Sequence, residues 1–225
     1  MMLKRYKIVG EERDRREGRV ELMSYHQHSS PSKVNTIIQI LKTGAHIVSL
    51  VSDAGTPSIS DPGVPLITEA HRQNVPVIPV PGACAVVAAL SGSGFPSERF
   101  IFEGFLPHER SKRKKLLALL AKQERTVAFY ESPHRIVHTL ADCVEVWGPE
   151  QEAYLARELT KLHEQTMRGS LSKLLETITQ QGGRGEFTVL IGPRPTTAGD
   201  KRRGSRARRP QDFSDMALDD DDEDD

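Results

Sequence analysis

The stretch LVSDAGTPSISDPG, Leu50–Gly63, decides how this chain is read. An apolar, β-branched run, His46-Ile47-Val48-Ser49-Leu50-Val51, predicts a strand, and it stops in a loop holding two aspartates, two glycines and two prolines. A hairpin turn takes only about two to five residues. A loop of this length is therefore expected to do more than reverse the chain.

Working outward, Val34, Ile37, Ile38 and Leu41 fall at helical spacing before the strand, with Ser32 as the expected cap and Gly44 at the C-terminal end. After the loop, Leu66, Ile67 and Ala70 predict a second helix, and Val75–Val80 a second strand whose prolines favour an edge or a strand end. The succession is a β-α-β unit, which predicts a parallel sheet with ligands gathered at the carboxyl ends of its strands.

The second strand runs into Pro81-Gly82-Ala83-Cys84-Ala85, which opens a small-residue helix, AVVAALSGSG. Small residues let a ligand approach the backbone, and a helix N-terminus offers unpaired N–H groups. In the first loop Asp53 suits a ribose hydroxyl or a ligand ammonium. Each loop alone is equally an ordinary strand-to-helix turn, with Asp53 and Asp61 as caps. Two such loops at adjacent strand ends predict a small-molecule pocket.

Further strands are expected at Phe100–Glu103, Thr126–Tyr130, Ala153–Arg157 and Glu186–Ile191, with helices at about 112–122, 133–146 and 171–181. A hydrophobic content of 37% in 225 residues supports a globular core. No run approaches the roughly 18 apolar residues of a membrane span and the N-terminus has no apolar signal core, so a cytoplasmic protein with no membrane partner is expected. Cys84 and Cys143 stand alone and read as buried thiols, and no metal site is expected. Lys201–Arg209 holds six basic residues and Asp212–Asp225 nine acidic ones, leaving residues 1–200 mildly basic. The tail from 195 to 225 is expected to be disordered.

In order, VSDAGTPSISDPG, the run from VPVIPVPGACAVVAALSGSG to FLP, FYESPHR, ARELTKLHEQTMRG and GEFTVLIG resemble the motifs of the ribosomal RNA small-subunit methyltransferase I family, over about 22–192. That family belongs to the tetrapyrrole methylase superfold. The resemblance implies an α/β, two-domain fold: a Rossmann-like parallel-sheet domain over 22–95 and a mixed α/β domain over 96–194. It implies S-adenosylmethionine as cofactor, the ribose 2′-hydroxyl of a cytidine in small-subunit ribosomal RNA or the assembled small subunit as acceptor, and a homodimer. By resemblance the cofactor lies between the domains, lined by Ser52, Asp53, Ala54, Gly55, Thr56 and Pro57, by Pro81, Gly82, Ala83, Cys84 and Ala85, and by Tyr130, Glu131 and Ser132.

Family members begin with a strand ending in a GTPIGNL-like glycine loop and continue to an EDTR-like segment. Residues 1–21 show neither, so this segment is read as divergent and the first strand of the cofactor domain is expected to be missing. Tyr6–Gly10 is the local candidate for a substitute. The stretch Tyr25-His26-Gln27-His28 resembles a family histidine pair, but Ser29 and Ser30 stand where Asn-Glu is usual.

Methyl transfer to a hydroxyl needs an oxygen held in line with the methyl group and an acceptor for its proton. Glu131, Glu158, Lys161 and Glu164 are the candidate acceptors or orienters, with the first three as the catalytic set. Arg135 and Arg157 are candidate phosphate contacts. Lys112, Arg113, Lys114 and Lys115 open a helix as a basic cluster suited to RNA, and equally to a solvated face. Besides the active methyltransferase, a catalytically impaired RNA- or ribosome-binding remnant and a small-molecule methyltransferase of the tetrapyrrole kind remain as readings.

Overall fold

The computed structural model describes residues 21–194. Its centre is a five-stranded sheet of β1 (Phe100–Phe105), β2 (Thr126–Glu131), β3 (Glu152–Arg157), β4 (Gln165–Ser170) and β5 (Phe187–Ile191), in the order β1-β2-β5-β3-β4. β1 and β2 run parallel, and every other pair is antiparallel. FTVLI of β5 is buried along its whole length, as a β-branched run between two partners should be. β4 went unforeseen because QTMRGS is polar. Among the described residues it pairs only with β3, where a polar edge is tolerated.

Alternation along the strands divides the sheet into two faces. Val127, Phe129, Leu155, Val189 and Ile191 face helices α4 (Arg110–Leu120), α5 (Ile136–Trp147) and α6 (Leu171–Gln181), whose Leu117, Leu140 and Ile178 complete the main core. Ala128, Tyr154, Ala156 and Leu190 face α3 (Ala85–Ser93), through Val86, Ala89 and Leu90. Small residues stand on both sides of this second contact, and a Cβ at Gly92 would lie 3.1 Å from the Tyr154 hydroxyl. The small residues of α3 let the helix body lie close on the sheet.

Helices α1 (Pro31–Lys42) and α2 (Val64–Arg72) pair through Val34, Ile37, Ile38, Leu66 and Ala70. The α1 cap is Ser30, whose side chain accepts from the Lys33 N–H at 3.4 Å, and not Ser32. Pro31 at the first helical position needs no N–H partner there and sets the cap one residue earlier.

The largest correction concerns His46–Val51 and Val75–Val80. Both run through the structure outside any helix or strand ladder, so the predicted parallel β-α-β sheet is not formed among the described residues. A strand exists only through a neighbour's hydrogen bonds, and Pro76 and Pro79 have no N–H to give. Ile47 is 96% exposed, Ile78 83% and Val80 78%. The expectations for residues 1–20, the Tyr6–Gly10 substitute included, and for the charged tail after 194 lie outside the described residues.

Candidate functional site

The two glycine-bearing loops meet. The Thr56 hydroxyl donates to the Ala83 carbonyl across 2.9 Å, and the Ser52 hydroxyl donates to the carbonyls of Ala54 and Gly55 at 3.1 and 3.0 Å. Gly55 sits at φ +74°, in the left-handed region, where a side chain is strained. Gly82 differs: a Cβ there would meet Thr56 Oγ1 at 3.6 Å, an ordinary contact. Nothing in the fold requires a bare backbone at Gly82.

The second loop delivers the chain into α3, with Cys84 as an extended cap residue whose side chain bonds no helix N–H. Tyr130, at the end of β2, supplies that partner: its hydroxyl accepts from the Val86 N–H at 3.2 Å. The ring is held edge-on to Phe102 and Phe105, with centroids 4.9 and 5.7 Å away. Burial pushes the phenol up to about 12, against the lowering pull of the Val86 N–H, so it stays protonated at neutral pH. Cys84, Tyr130 and Leu159 all pack on the cluster around Val86. Cys84 and Tyr130 thus meet at the N-terminus of α3, and Leu159 packs on the same core cluster. Cys84 is only partly buried there, whereas Cys143 is fully buried and burial pushes its thiol up.

Glu131, one residue on, faces the other side of the sheet and does not join this group. It is 1% exposed. One carboxylate oxygen accepts from the Ser132 N–H at 2.7 Å and from Arg135 Nε at 2.9 Å, and the other from the Thr139 hydroxyl at 2.7 Å. Arg135 also donates twice to the Leu106 carbonyl at 3.2 Å. This clamp ties the end of β2 to the start of α5. Both Glu131 oxygens and the Arg135 guanidinium are engaged in it, where the sequence suggested a proton acceptor and a phosphate contact.

Glu158 and Lys161 lie in the turn after β3. Lys161 Nζ bridges Glu158 at 3.0 Å and Glu186 at 2.7 Å. The Glu186 N–H, ahead of Lys161, holds the Glu158 carboxyl below its ordinary range, and Glu186, ahead of Glu158, holds the Lys161 ammonium above its own. Glu158 and Thr160 both adopt left-handed backbone, at φ 51° and 64°, which costs about 1–3 kcal/mol each and recurs where a loop is held for a task. Glu164 accepts from the Thr160 N–H. Arg157 stacks its guanidinium 5.9 Å over the Phe187 ring, with Nε buried and unpartnered.

The basic cluster on α4 is mostly spoken for. Arg113 is buried, donates to Asp142 from Nε at 2.9 Å and Nη2 at 2.8 Å, and to the Pro107 and His108 carbonyls from Nη1. Arg113 is therefore a core ion pair and not a phosphate contact. Lys112 pairs with Glu109 at 2.8 Å and Lys114 with Glu145. Lys115 is exposed. Burial raises the Asp142 carboxyl, but hydrogen bonds from Arg110 and Arg113 outweigh it and hold the group below the usual carboxylate range.

Sequence reasoning missed the second half of the long loop. Ser58, Ser60 and Asp61, with Tyr25, Gln27 and Ser29, line a cavity of about 370 Å³. The one signal for it was the excess length of the loop. Among the described residues no group of three or more His, Cys, Asp or Glu is placed to hold a metal, and no helix is long and apolar enough to cross a membrane.

The model of the Tetrapyrrole (Corrin/Porphyrin) Methylases matches residues 5–175. The ribosomal RNA small subunit methyltransferase I of Synechocystis sp. is 45% identical over 169 residues, covering 75% of this chain and 60% of that protein. Its namesake in Vibrio cholerae is 47% identical over 168 residues, covering 74% and 58%. The one in Thermotoga maritima is 42% identical over 170 residues, covering 76% and 75%. The chain spans about 60% of the length of the first two relatives. Among solved structures, a cobalt precorrin-4 methyltransferase aligns with TM-score 0.58 at 18% identity over 77% of this chain and 75% of its own. A diphthine synthase aligns with TM-score 0.54 at 14% identity over 73% and 68%. The fold is shared with these two, and with the match to the family model and to relatives at 42–47% identity, the chain belongs to the tetrapyrrole (corrin/porphyrin) methylase family, among the ribosomal RNA small subunit methyltransferase I proteins.

Proposed function

We propose that the protein transfers a methyl group from S-adenosylmethionine to the 2′-hydroxyl of a cytidine ribose in small-subunit ribosomal RNA. The observation that carries this reading is the 42–47% identity to relatives bearing that name, over at least 168 residues. The residues present fit the cofactor. The loops Ser52–Pro57 and Pro81–Ala85 are joined at Thr56 and Ala83, and Gly82 beside them is exposed, with no backbone closer than ordinary contact to where its side chain would begin. Asp53, which is exposed, is suited to a ribose hydroxyl or the amino-acid ammonium.

Bound there, the cofactor supplies a methyl group on a positively charged sulfur. The chain's own residues hold and orient. Tyr130, protonated and packed against Phe102 and Phe105, fixes the start of α3 and with it the second loop. The Lys161 bridge between Glu158 and Glu186 stiffens the turn after β3, whose Leu159 packs on the same cluster. We assign the hydroxyl proton to Glu158, which is ionised at neutral pH and only partly buried, in preference to the buried Glu131. An RNA acceptor, met in the assembled small subunit by a homodimer in the family pattern, is favoured over a tetrapyrrole by the names of the relatives.

The test is a methylation assay with labelled S-adenosylmethionine on undermethylated small subunits, followed by mapping of the labelled ribose. Label on a cytidine 2′-oxygen is expected. Binding of small subunits with no transfer of label would favour the remnant reading instead.

A further inference from the structure

The long loop has two halves. Ser52–Pro57 closes on Ala83, and the rest, with Tyr25, Gln27 and Ser29, surrounds the cavity of about 370 Å³ over the start of α2. That volume lies at the small end of ligand pockets, which run about 300–1,000 Å³, and is room for one nucleoside base. Hydroxyls, an amide and one carboxylate line it beside the apolar Pro62, Val64 and Pro65, and no cation does among the described residues. The lining chemistry suits a neutral, hydrogen-bonding group and not a phosphate.

The cavity's wall is held under constraint. Ser58 and Ser60 both adopt left-handed backbone, at φ 71° and 55°. A Cβ at Gly63, at φ 152°, would come within 2.1 Å of Ser58 Oγ, and one at Gly104, in the bulge of β1, within 2.9 Å of Ser60 Oγ. Bare backbone at the end of the loop and on β1 thus receives these two serines. The Ser58 hydroxyl is buried with no hydrogen-bond partner. Non-glycine residues in strained conformations and an unsatisfied buried hydroxyl, on one short loop, mark a place completed by something else.

We propose that this cavity seats the base of the nucleotide that is methylated, with Asp61 accepting the exocyclic amine of cytosine and the Ser58 hydroxyl bonding a ring-edge acceptor. The inference rests on the methyl-transfer reading above. A carboxylate oxygen accepts, so it pairs with the N4 amine of cytosine and opposes the O4 oxygen that uracil presents in the same place. Because one continuous loop carries both halves, seating the base also sets the ribose against the cofactor half.

The experiment is a fluorescence-anisotropy titration of the full chain with a labelled pentaribonucleotide, UUCUU, and with UUUUU. S-adenosylhomocysteine binding is followed separately by calorimetry. The cytosine strand is expected to bind about tenfold tighter, Asp61→Asn to bring the two strands to parity, and Ser58→Ala to weaken the cytosine strand severalfold. Neither variant is expected to change S-adenosylhomocysteine affinity. A strand carrying N4,N4-dimethylcytosine, which has no N–H to donate, is expected to bind the unaltered protein like UUUUU, and this arm needs no variant to fold. No preference for cytosine, or a preference untouched by both Asp61→Asn and dimethylation, overturns the proposal, and with S-adenosylhomocysteine still bound it leaves the methyl-transfer reading standing. An Asp61-dependent preference without S-adenosylhomocysteine binding upholds the base site and overturns the enzyme reading.

Discussion

Thr56 lies beside Gly82 as well as bonding Ala83: its hydroxyl oxygen is 3.6 Å from where a Gly82 side chain would begin. A small side chain therefore fits the folded chain, and bulk at Gly82 grows into the space assigned to the cofactor. Gly82→Val is expected to weaken S-adenosylhomocysteine binding at least tenfold, about 1.4 kcal/mol, while changing stability by only about 0.5 kcal/mol. Calorimetry and urea unfolding read the two quantities apart. Unchanged affinity in the folded variant would remove this loop from the cofactor site.

The Glu131 clamp makes the opposite prediction. Its carboxylate receives hydrogen bonds from Ser132, Arg135 and Thr139 in a buried place. Glu131→Gln puts an amide N–H against donors and leaves Arg135 without its charge partner, at a cost of about 2–3 kcal/mol in urea unfolding. If stability held and only methyl transfer fell, the residue would be a catalytic group after all.

The basic helix separates into two roles that mutation can resolve. Lys112→Gln with Lys115→Gln is expected to flatten the salt dependence of RNA binding, by up to about 0.7 in log-log slope for each phosphate that a lysine no longer neutralises, the value for single strands. Arg113→Gln is expected to leave that slope alone and lower stability, because Arg113 is spent on Asp142 and two carbonyls. Filter binding over a salt series distinguishes them.

These contrasts also mark what a sequence can carry. The strands Thr126–Glu131, Glu152–Arg157 and Phe187–Ile191 and the helices packed on them were legible because periodicity and burial agree there. The convergence of Thr56, Ala83 and Tyr130 was legible only as motifs, since their contacts span 27 and 44 residues. Arg113 looked like surface because nothing local announces Asp142, 29 residues away. His46–Val51 and Val75–Val80 have strand composition, but a ladder depends on a neighbour that composition does not reveal.

Asp142 gives the pH dependence its sign. Its folded carboxyl is held below the ordinary value by Arg110 and Arg113, so the unfolded chain binds its proton more readily. The stabilisation is complete above the unfolded value, about 4, and is lost as pH falls through the lower folded value. Asp142→Asn is expected to lower stability at pH 7 and to narrow the gap to wild type in that acid window. Urea unfolding between pH 7 and pH 3 measures it, and a constant gap across that range would mean that the ion pairs with Arg110 and Arg113 contribute nothing.

The segments that make no ladder among the described residues carry the last expectation. Ile47 at 96% exposure and Ile78 at 83% sit in runs of strand-forming residues that make no ladder among the described residues. Unpaired N–H and C=O groups beside exposed apolar side chains form a template for another strand, and the common means of blunting such a template is a charge on it. The chain is therefore expected to self-associate with rising concentration, and Ile47→Lys with Ile78→Lys to shift it towards monomer without loss of helix or sheet signal. Both side chains are already in water, so the substitutions leave no cavity behind and their effect on folding is small. Sedimentation velocity over a hundredfold range of concentration reads the shift. Equal association in the variant and the parent would show that contacts elsewhere on the surface hold the copies together.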